Sequence, residues 1–395
     1  MYLGGCLLSA VGSGVVAPFT AIYLTAARGF PLGTVGLVLA VIAAANIVGS
    51  FVGGLLIDRC GLRAVVVVSL AVAAGGWVAL GLAATPVPAL MAAAFAGLGG
   101  GGFYPVSVPI LVALAPASAR RRAFSLRSLT ISLGTGVGAA AGGLLIGTTS
   151  VGAFQLMFSV NAASYLVFAV LLVVVLRRVP LAADRPAAGE GGVARLLVWL
   201  LVLQTLVVLA GYGQFSASVP LLLQTGLAVD AGLIGALVAI STAVIVLLQL
   251  PVGRLSERYR PATMLAALGH VWTLAWGCGL LAAAVPSWRT AALVAMAVLY
   301  GTGACLFHPN FQPQLASAVP ADRLGRASGY AASAWGLALV IASPAGVLLV
   351  GAGPVVLWLV LAALCVAVTV LARRIGRLPA GQDNDLAAVP AGSRR

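Results

Sequence analysis

The chain has 395 residues, 62% hydrophobic and only 8% charged, with a mean hydropathy of +1.13. Soluble domains carry about a quarter of their residues charged, so a soluble fold is excluded. The net charge of +14 comes from Arg, with no Lys anywhere. These arginines sit in short gaps between apolar runs and not along one amphipathic surface, which argues for membrane topology and against nucleic-acid binding.

Apolar runs of about 20 residues, enough to cross a bilayer core, fill nearly the whole length. In chain order they cover 3–26, 33–57, 64–84, 87–115, 128–147 and 152–176, then 196–224, 231–252, 263–285, 288–318, 328–350 and 354–372. The fourth and tenth are long enough to project beyond the membrane. The pattern predicts an all-α integral membrane protein with twelve transmembrane helices. They form an N-terminal six-helix bundle over 1–176 and a C-terminal one over 196–373. A linker over 177–195 joins them, and a disordered tail occupies 374–395. No cleavable signal pattern precedes the first span, and the lack of an early Arg raises the expectation of a short leader upstream of Met1.

Arginine placement sets orientation. If the chain starts inside, 20 of the 22 basic residues fall in cytoplasmic turns, the linker or the tail, leaving Arg28 and Arg289 outside. That split predicts both termini on the cytoplasmic side of the cell (inner) membrane. The five cysteines, Cys6, Cys60, Cys278, Cys305 and Cys365, form no CxxC pair and no metal-ligand spacing, so no disulfide framework, metal or cofactor is expected.

The halves repeat. A shift of 199 places Gly54 on Gly253, Asp58 on Glu257 and Arg59 on Arg258. A shift of 204 places Pro105 on Pro309, Pro109 on Pro313, Pro116 on Pro320 and Arg122 on Arg326. Parallel repeats of six helices are one plan of secondary transporters, with substrate held between the halves near the midplane.

With that plan and the motif Gly54-Leu55-Leu56-Ile57-Asp58-Arg59-Cys60-Gly61-Leu62-Arg63, the chain resembles the major facilitator superfamily. The departure is Leu62, where a basic residue is usual. The fifth span carries Gly134, Gly138, Gly142 and Gly143 in a pattern similar to that of the drug-antiporter branch, with Ala139 where Pro is expected. The resemblance implies alternating access by a monomer whose partners are a small-molecule substrate, the lipid bilayer and protons. It implies gating by Gly54, Asp58, Arg59, Gly61 and Arg63, and by their counterparts Gly253, Glu257 and Arg258. Asp58 is then expected at the start of the eleventh span, near Ala327 and Ser328, in the outward-facing state. Glu257 is expected by pseudo-symmetry at the start of the fifth span, near Arg127.

Polar side chains inside spans mark a water-filled path or interhelical hydrogen bonds, the latter worth about 0.6 kcal/mol each. Ser9, Ser13 and Thr20 share a stripe of the first span; Gln204, Gln214 and Ser218 share one of the seventh. In the tenth, His308 and Gln312 share one face and Asn310 and Gln314 nearly the opposite one. The resemblance implies that spans 1, 4, 7 and 10 line the cavity. The candidates are Ser13, Asn46, Tyr104, Gln204, Gln214, His308, Asn310, Gln312 and Gln314.

None of the eight acids falls well inside a span, and no Arg is expected there either. His308 is therefore the titratable candidate for proton coupling, and His270 is expected to be a packed residue. A cavity without fixed charge suits lipophilic, uncharged cargo. The leading reading is a secondary exporter of small lipophilic compounds, and the alternative is an uptake facilitator of the same fold. An intramembrane enzyme would need clustered carboxylates, a metal set or an activated nucleophile, and none is visible. A non-transporting membrane protein stays open.

Overall fold

The computed structural model describes residues 1–145, 150–177, 190–320 and 323–377. Most of the expected linker and tail lies outside them. The described residues are helical, with no strand among them. The long segments are α1 Tyr2–Ala27, α2 Leu32–Cys60, α3 Leu62–Leu82, α4 Pro86–Leu114, α5 Arg120–Leu145 and α6 Val151–Arg177. After them come α7 Arg195–Ser216 with its continuation Ser218–Thr225, α8 Ala231–Glu257, α9 Pro261–Ala284, α10 Pro286–Ser317, α11 Leu324–Gly351 and α12 Pro354–Ile375. Eleven of these are long and apolar enough to span a bilayer. The twelfth, α5, has 26 residues, with Arg120, Arg121, Arg122 and Arg127 in its opening turns and glycines after them.

Two six-helix bundles follow from the packing. In the first, α1 packs on α5 and α6, α2 on α4, and α3 on α4 and α6; in the second, α9 packs on α10 and α12, α8 on α10, and α7 on α11 and α12. The bundles meet along α2–α11, α5–α8, α5–α10 and α4–α11. In lipid there is no expulsion from water to drive helices together, so close packing of small residues carries the association. The α1–α5 seam is an instance. A Cβ at Gly134, Gly138 or Gly142 would run into the Leu7, Val11 or Val15 carbonyl, whereas one at Gly143 would make only ordinary contact with Phe19.

Helix irregularities fall in α1, α4 and α7. Backbone turns of α1 at Tyr23–Ala27 and α7 at Val208–Tyr212 are π-helical, a distortion that appears often at functional sites. The matched prolines do not give matched breaks. α4 tightens to a 3₁₀ turn at Tyr104–Val106, whereas α10 stays α-helical through Pro309 and Pro313. The run Gly99-Gly100-Gly101-Gly102 just before the α4 break is a poor helix former, and Ala304-Cys305-Leu306-Phe307 in α10 is a better one.

Candidate functional site

Four turns, α2–α3, α4–α5, α8–α9 and α10–α11, lie on one arginine-rich face. On that face α2 ends at Cys60, and Gly61 (φ 82°) supplies the left-handed turn into α3. Asp58 sits two residues before this end, its side chain only 7% exposed. It reaches across the bundle interface to the first turn of α11. Its Oδ1 accepts from the Gly325 N–H at 3.0 Å, and its Oδ2 accepts from the Arg326 N–H at 3.1 Å and from Arg326 Nε at 3.0 Å. A helix start leaves N–H groups without intrahelical partners and carries the positive end of the dipole. The carboxylate meets both. The contact falls two residues nearer the helix start than Ala327 and Ser328, because α11 begins at Leu324 and its free N–H groups lie there.

The backbones touch below this pair. A Cβ on Gly54 would lie 2.7 Å from both the Gly325 carbonyl oxygen and the Gly329 Cα. Of the other residues in this turn, Arg63 donates to the Leu176 carbonyl at the end of α6, and Arg59 stands exposed in the last turn of α2.

The second turn departs from expectation. Glu257 is exposed and makes no hydrogen bond to α5 among the described residues, although its charge lies within electrostatic reach of Arg121. Instead Arg121, in the first turn of α5, donates to the Ser256 carbonyl and, at 2.6 Å, to the Tyr259 carbonyl at the end of α8. A guanidinium on carbonyls at a helix C-terminus satisfies the same two needs with opposite signs. Gly253 is where α8 approaches α5, since a Cβ there would meet the Ser125 hydroxyl. Arg258 is exposed at the α8 end.

Other cross-bundle contacts among the described residues lie in the same halves of the helices. Ser333 donates to the Ile47 carbonyl at 3.1 Å, and the Phe51 and Tyr330 rings are 5.8 Å apart. The interface is sealed from its arginine-rich face to about mid-depth.

The polar candidates divide into two groups. Gln204, Gln214 and Asn310 are at most 2% exposed and serve as helix fastenings. Gln204 donates to the Ala331 carbonyl, Gln214 to the Ala342 carbonyl at 3.1 Å, and Asn310 to Ser256 Oγ at 3.1 Å. Ser13 pairs with the Tyr165 hydroxyl at 3.0 Å, and Gln314 donates to the Asn310 carbonyl at 3.3 Å. In this conformation the first four of these side chains are occupied by other helices and Gln314 by its own.

Tyr104, His308, Gln312 and Asn46 are different: each retains solvent-accessible surface and makes no side-chain hydrogen bond among the described residues. Tyr104 is 42% exposed although α4 is packed on several sides. His308 stands in an aromatic wall, with its ring 5.1 Å from Phe307, 5.8 Å from Trp335 and 6.3 Å from Tyr212. The Tyr212 and Trp335 rings are themselves 5.0 Å apart. His308 Nδ1 and Gln312 Oε1, one helical turn apart, are buried without a hydrogen-bond partner.

Arg127 overturns the expectation that no arginine enters a span. It stands seven residues past the start of α5, about 10 Å along the helix axis. There it lies within electrostatic reach of Tyr2, Cys6 and Tyr104 from its own bundle and of His308 from the other. Its Nε is buried with no hydrogen-bond partner, and no carboxylate is among the groups acting on it. A buried polar group left unpaired costs about 1–3 kcal/mol, and such groups in native proteins call for an explanation such as a ligand. A fixed cation thus lies where the bundles meet, beside an aromatic wall. The gap of five residues between Arg122 and Arg127 was the available signal, because it lifts Arg127 more than a turn above the others. Tyr212 and Trp335 carried no polar signal in the sequence.

Sequence and structure comparisons agree with this architecture. The chain is 26% identical to an uncharacterized MFS-type transporter, YqjV, of Bacillus subtilis over 282 residues, covering 68% of this chain and 66% of the relative. It is 25% identical to the multidrug resistance protein MdtH of Aeromonas hydrophila over 256 residues, covering 64% and 63%. The alignments therefore span just under two thirds of these relatives' lengths. Among solved structures, a bacterial homologue of the iron transporter ferroportin in an outward-facing state superposes with a TM-score of 0.79 at 15% identity, covering 95% of this chain and 98% of that one. The Major Facilitator Superfamily model matches residues 2–210 and again 200–393. With both halves matched, the chain belongs to the Major Facilitator Superfamily of membrane transporters.

Proposed function

We propose that the protein exports small lipophilic compounds by alternating access, with its arginine-rich face and both termini on the cytoplasmic side of the cell membrane. The observation that carries the reading is Arg127 beside Tyr104 and His308 at the meeting of the bundles. The wall of Tyr212, Phe307 and Trp335 accepts a flat apolar body, and the guanidinium, through its partnerless Nε–H, binds an acidic or hydrogen-bond-accepting group on it. The preferred cargo is then a lipophilic weak acid and not an uncharged amphiphile. The likeness to a multidrug resistance protein supports export, and the 20-to-2 arginine split supports the orientation. Contacts confined to the arginine-rich halves support an outward-facing resting conformer, with the turns at Asp58 and Arg121 as its latches. His308 is the coupling residue for protons in this reading.

Cells with and without the protein are compared for accumulation of anionic, neutral and cationic lipophilic dyes. The expected result is lower accumulation of the anionic dye when the protein is present. In proteoliposomes, Arg127→Gln should raise the KM for the anionic dye about tenfold, the scale of a lost charge-assisted hydrogen bond, and leave a neutral dye within about twofold. Higher accumulation in producing cells would identify an uptake facilitator instead. A pH-sensitive dye inside the vesicles tests coupling, since cargo-driven proton flux should vanish in His308→Ala.

A further inference from the structure

A second basic feature lies on the outer surface of the C-terminal bundle, away from the bundle interface. At the arginine-rich ends of α9 and α12 a cleft of ≈ 380 Å³ opens between the helices, lined among others by Arg260, Thr263, His270, Arg373 and Arg377. The transport reading above uses none of these residues. No carboxylate lines the cleft. In this it differs from a basic cleft at the α8 end, where Glu257 stands among Arg122, Arg254 and Arg258.

Close helix contact builds the floor. A Cβ on Gly376 would lie 2.8 Å from the Ala262 methyl, and one on Gly269 would meet the Thr369 hydroxyl. Thr369 donates to the Ala266 carbonyl at 3.3 Å, tying the helices together beneath the cleft. His270 is exposed and not packed, contrary to the sequence expectation. Its Nδ1 is 2.7 Å from the Ala266 carbonyl, so that nitrogen carries the proton and donates. Nε2 is then an acceptor, and Arg373 donates to it at 3.3 Å. The pair holds one guanidinium at the upper edge of the cleft, while Arg260 and Arg377 stand exposed at its base.

What continues from the cleft is apolar. Along α9 the exposed positions His270, Leu274, Gly277 and Leu281 fall on one stripe, and along α12 the exposed positions Arg373, Val370, Val366, Ala363 and Leu359 fall on another. Both stripes have the three-or-four-residue spacing of a single helix face. Both begin at the cleft and run away from the arginine-rich face. An occupant that matches the whole feature has an anionic head and hydrocarbon chains. Basic pockets between transmembrane helices suit acidic lipid headgroups, and each arginine adds to the attraction.

We propose that this cleft is a binding site for an anionic phospholipid of the leaflet on the arginine-rich side. Its headgroup phosphate lies between Arg260, Arg373 and Arg377, and its acyl chains lie along the α9 and α12 stripes. The cleft is remote from the cargo cavity, so the site is a place of lipid attachment independent of what the protein transports.

Native mass spectrometry of the full-length protein in a neutral detergent tests this, with phosphatidylglycerol and phosphatidylcholine titrated in parallel. Phosphatidylglycerol should bind at least about tenfold more tightly than phosphatidylcholine, and Arg260→Gln/Arg373→Gln should remove about that tenfold preference. Arg289→Gln at the opposite face serves as the charge control and should leave it intact. Leu274→Gln/Val370→Gln should weaken phosphatidylglycerol binding with every arginine in place, which a site for a bare anion would not show. Should the double arginine variant lose its thermal unfolding transition, Arg377→Gln carries the same test, because the residue is exposed and beyond the last turn of α12. Equal phosphatidylglycerol preference in the wild type and the folded cleft variants would overturn the proposal. So would displacement of the lipid by millimolar inorganic phosphate, which would identify a soluble-anion site. Because the readout is bound lipid and not transport, neither result bears on the cargo reading.

Discussion

Asp58 at the end of α2 and Arg121 at the start of α5 close the same bundle interface in two ways. In the first latch a carboxylate meets N–H groups at the start of α11; in the second a guanidinium meets carbonyls at the end of α8. The internal repeat explains why the copies diverged. The shift of 204 that relates α5 to α11 places Arg121 on Gly325 and Ser125 on Gly329. Gly325 has no side chain, and a Cβ there would collide with the Asp58 carboxylate, so the bare backbone is what admits the acid. Arg121 offers no such opening at the matched place, and its own side chain crosses instead. The crossing points below differ likewise, with Gly54 against the Gly329 backbone in one latch and Gly253 against the Ser125 hydroxyl in the other. Pseudo-symmetry conserved the location of the contact, while one side chain decided which charge makes it.

The glycine crossings should separate the latches most. Gly54→Ala places a methyl 2.7 Å from backbone atoms of α11, which cannot move aside without parting the helices. Overpacking of this kind costs about 1–3 kcal/mol, so the sealed conformer should lose about tenfold or more in population. Transport normalised to the amount in the membrane should fall accordingly. A distance measurement between labels on the α2–α3 and α10–α11 turns should lengthen. Gly253→Ala meets only the Ser125 side chain, whose hydroxyl can rotate but whose Cβ lies 2.8 Å away. It should cost less than Gly54→Ala, with Gly253→Ala/Ser125→Gly, which removes that Cβ, close to wild type. Equal damage from the two glycine variants would remove the distinction between a backbone crossing and a side-chain crossing.

The charges come next. In Asp58→Asn one amide oxygen can still accept from Gly325, but the NH₂ then faces the Arg326 N–H and guanidinium, donor against donor. Losing a charge-assisted bond of about 1.5–3 kcal/mol should slow transport about tenfold without preventing membrane insertion. Arg326→Gln should do less than Asp58→Asn, because that side chain is 45% exposed and exposed pairs are weak. Normal transport by Asp58→Asn would reduce the turn to an anchor.

The fold was legible in the sequence because it rests on features a linear pattern preserves: runs of apolar length, arginines confined to gaps, and glycines and prolines in register between halves. The cavity was less so. Gln204, Gln214 and Asn310 lie on polar helix-face stripes, and a stripe does not distinguish a water-facing amide from one bonded to the next helix. Tyr212 and Trp335 went unnoticed because aromatic residues in an apolar span look like core until neighbouring rings are seen to converge. Arg127 was misread because a charge near a helix end was assigned to the turn, although helix rise alone lifts it about 10 Å into the span. Glu257 was misread because pseudo-symmetry was followed at α8, where Asp58 and Glu257 do match, and not checked at the partner helix, where Gly325 and Arg121 do not.

That last mismatch yields the smallest expected effect and the sharpest test of the divergence. If the second latch depends on the cation alone, Glu257→Gln should leave transport within about twofold of wild type, the range of ordinary surface substitutions. Arg121→Gln should fall between Glu257→Gln and Asp58→Asn, because it strips two carbonyls at the α8 end of their donor while solvent can partly replace it. Arg121→Lys discriminates further. Both bonds leave from one nitrogen, Nη1; a lysine keeps the charge but carries it on a shorter side chain, so it should restore only part of the loss. An impaired Glu257→Gln beside an unimpaired Arg121→Gln would mean that the acid engages α5 at another stage of the transport cycle. The two latches would then alternate between conformers and not close together in one.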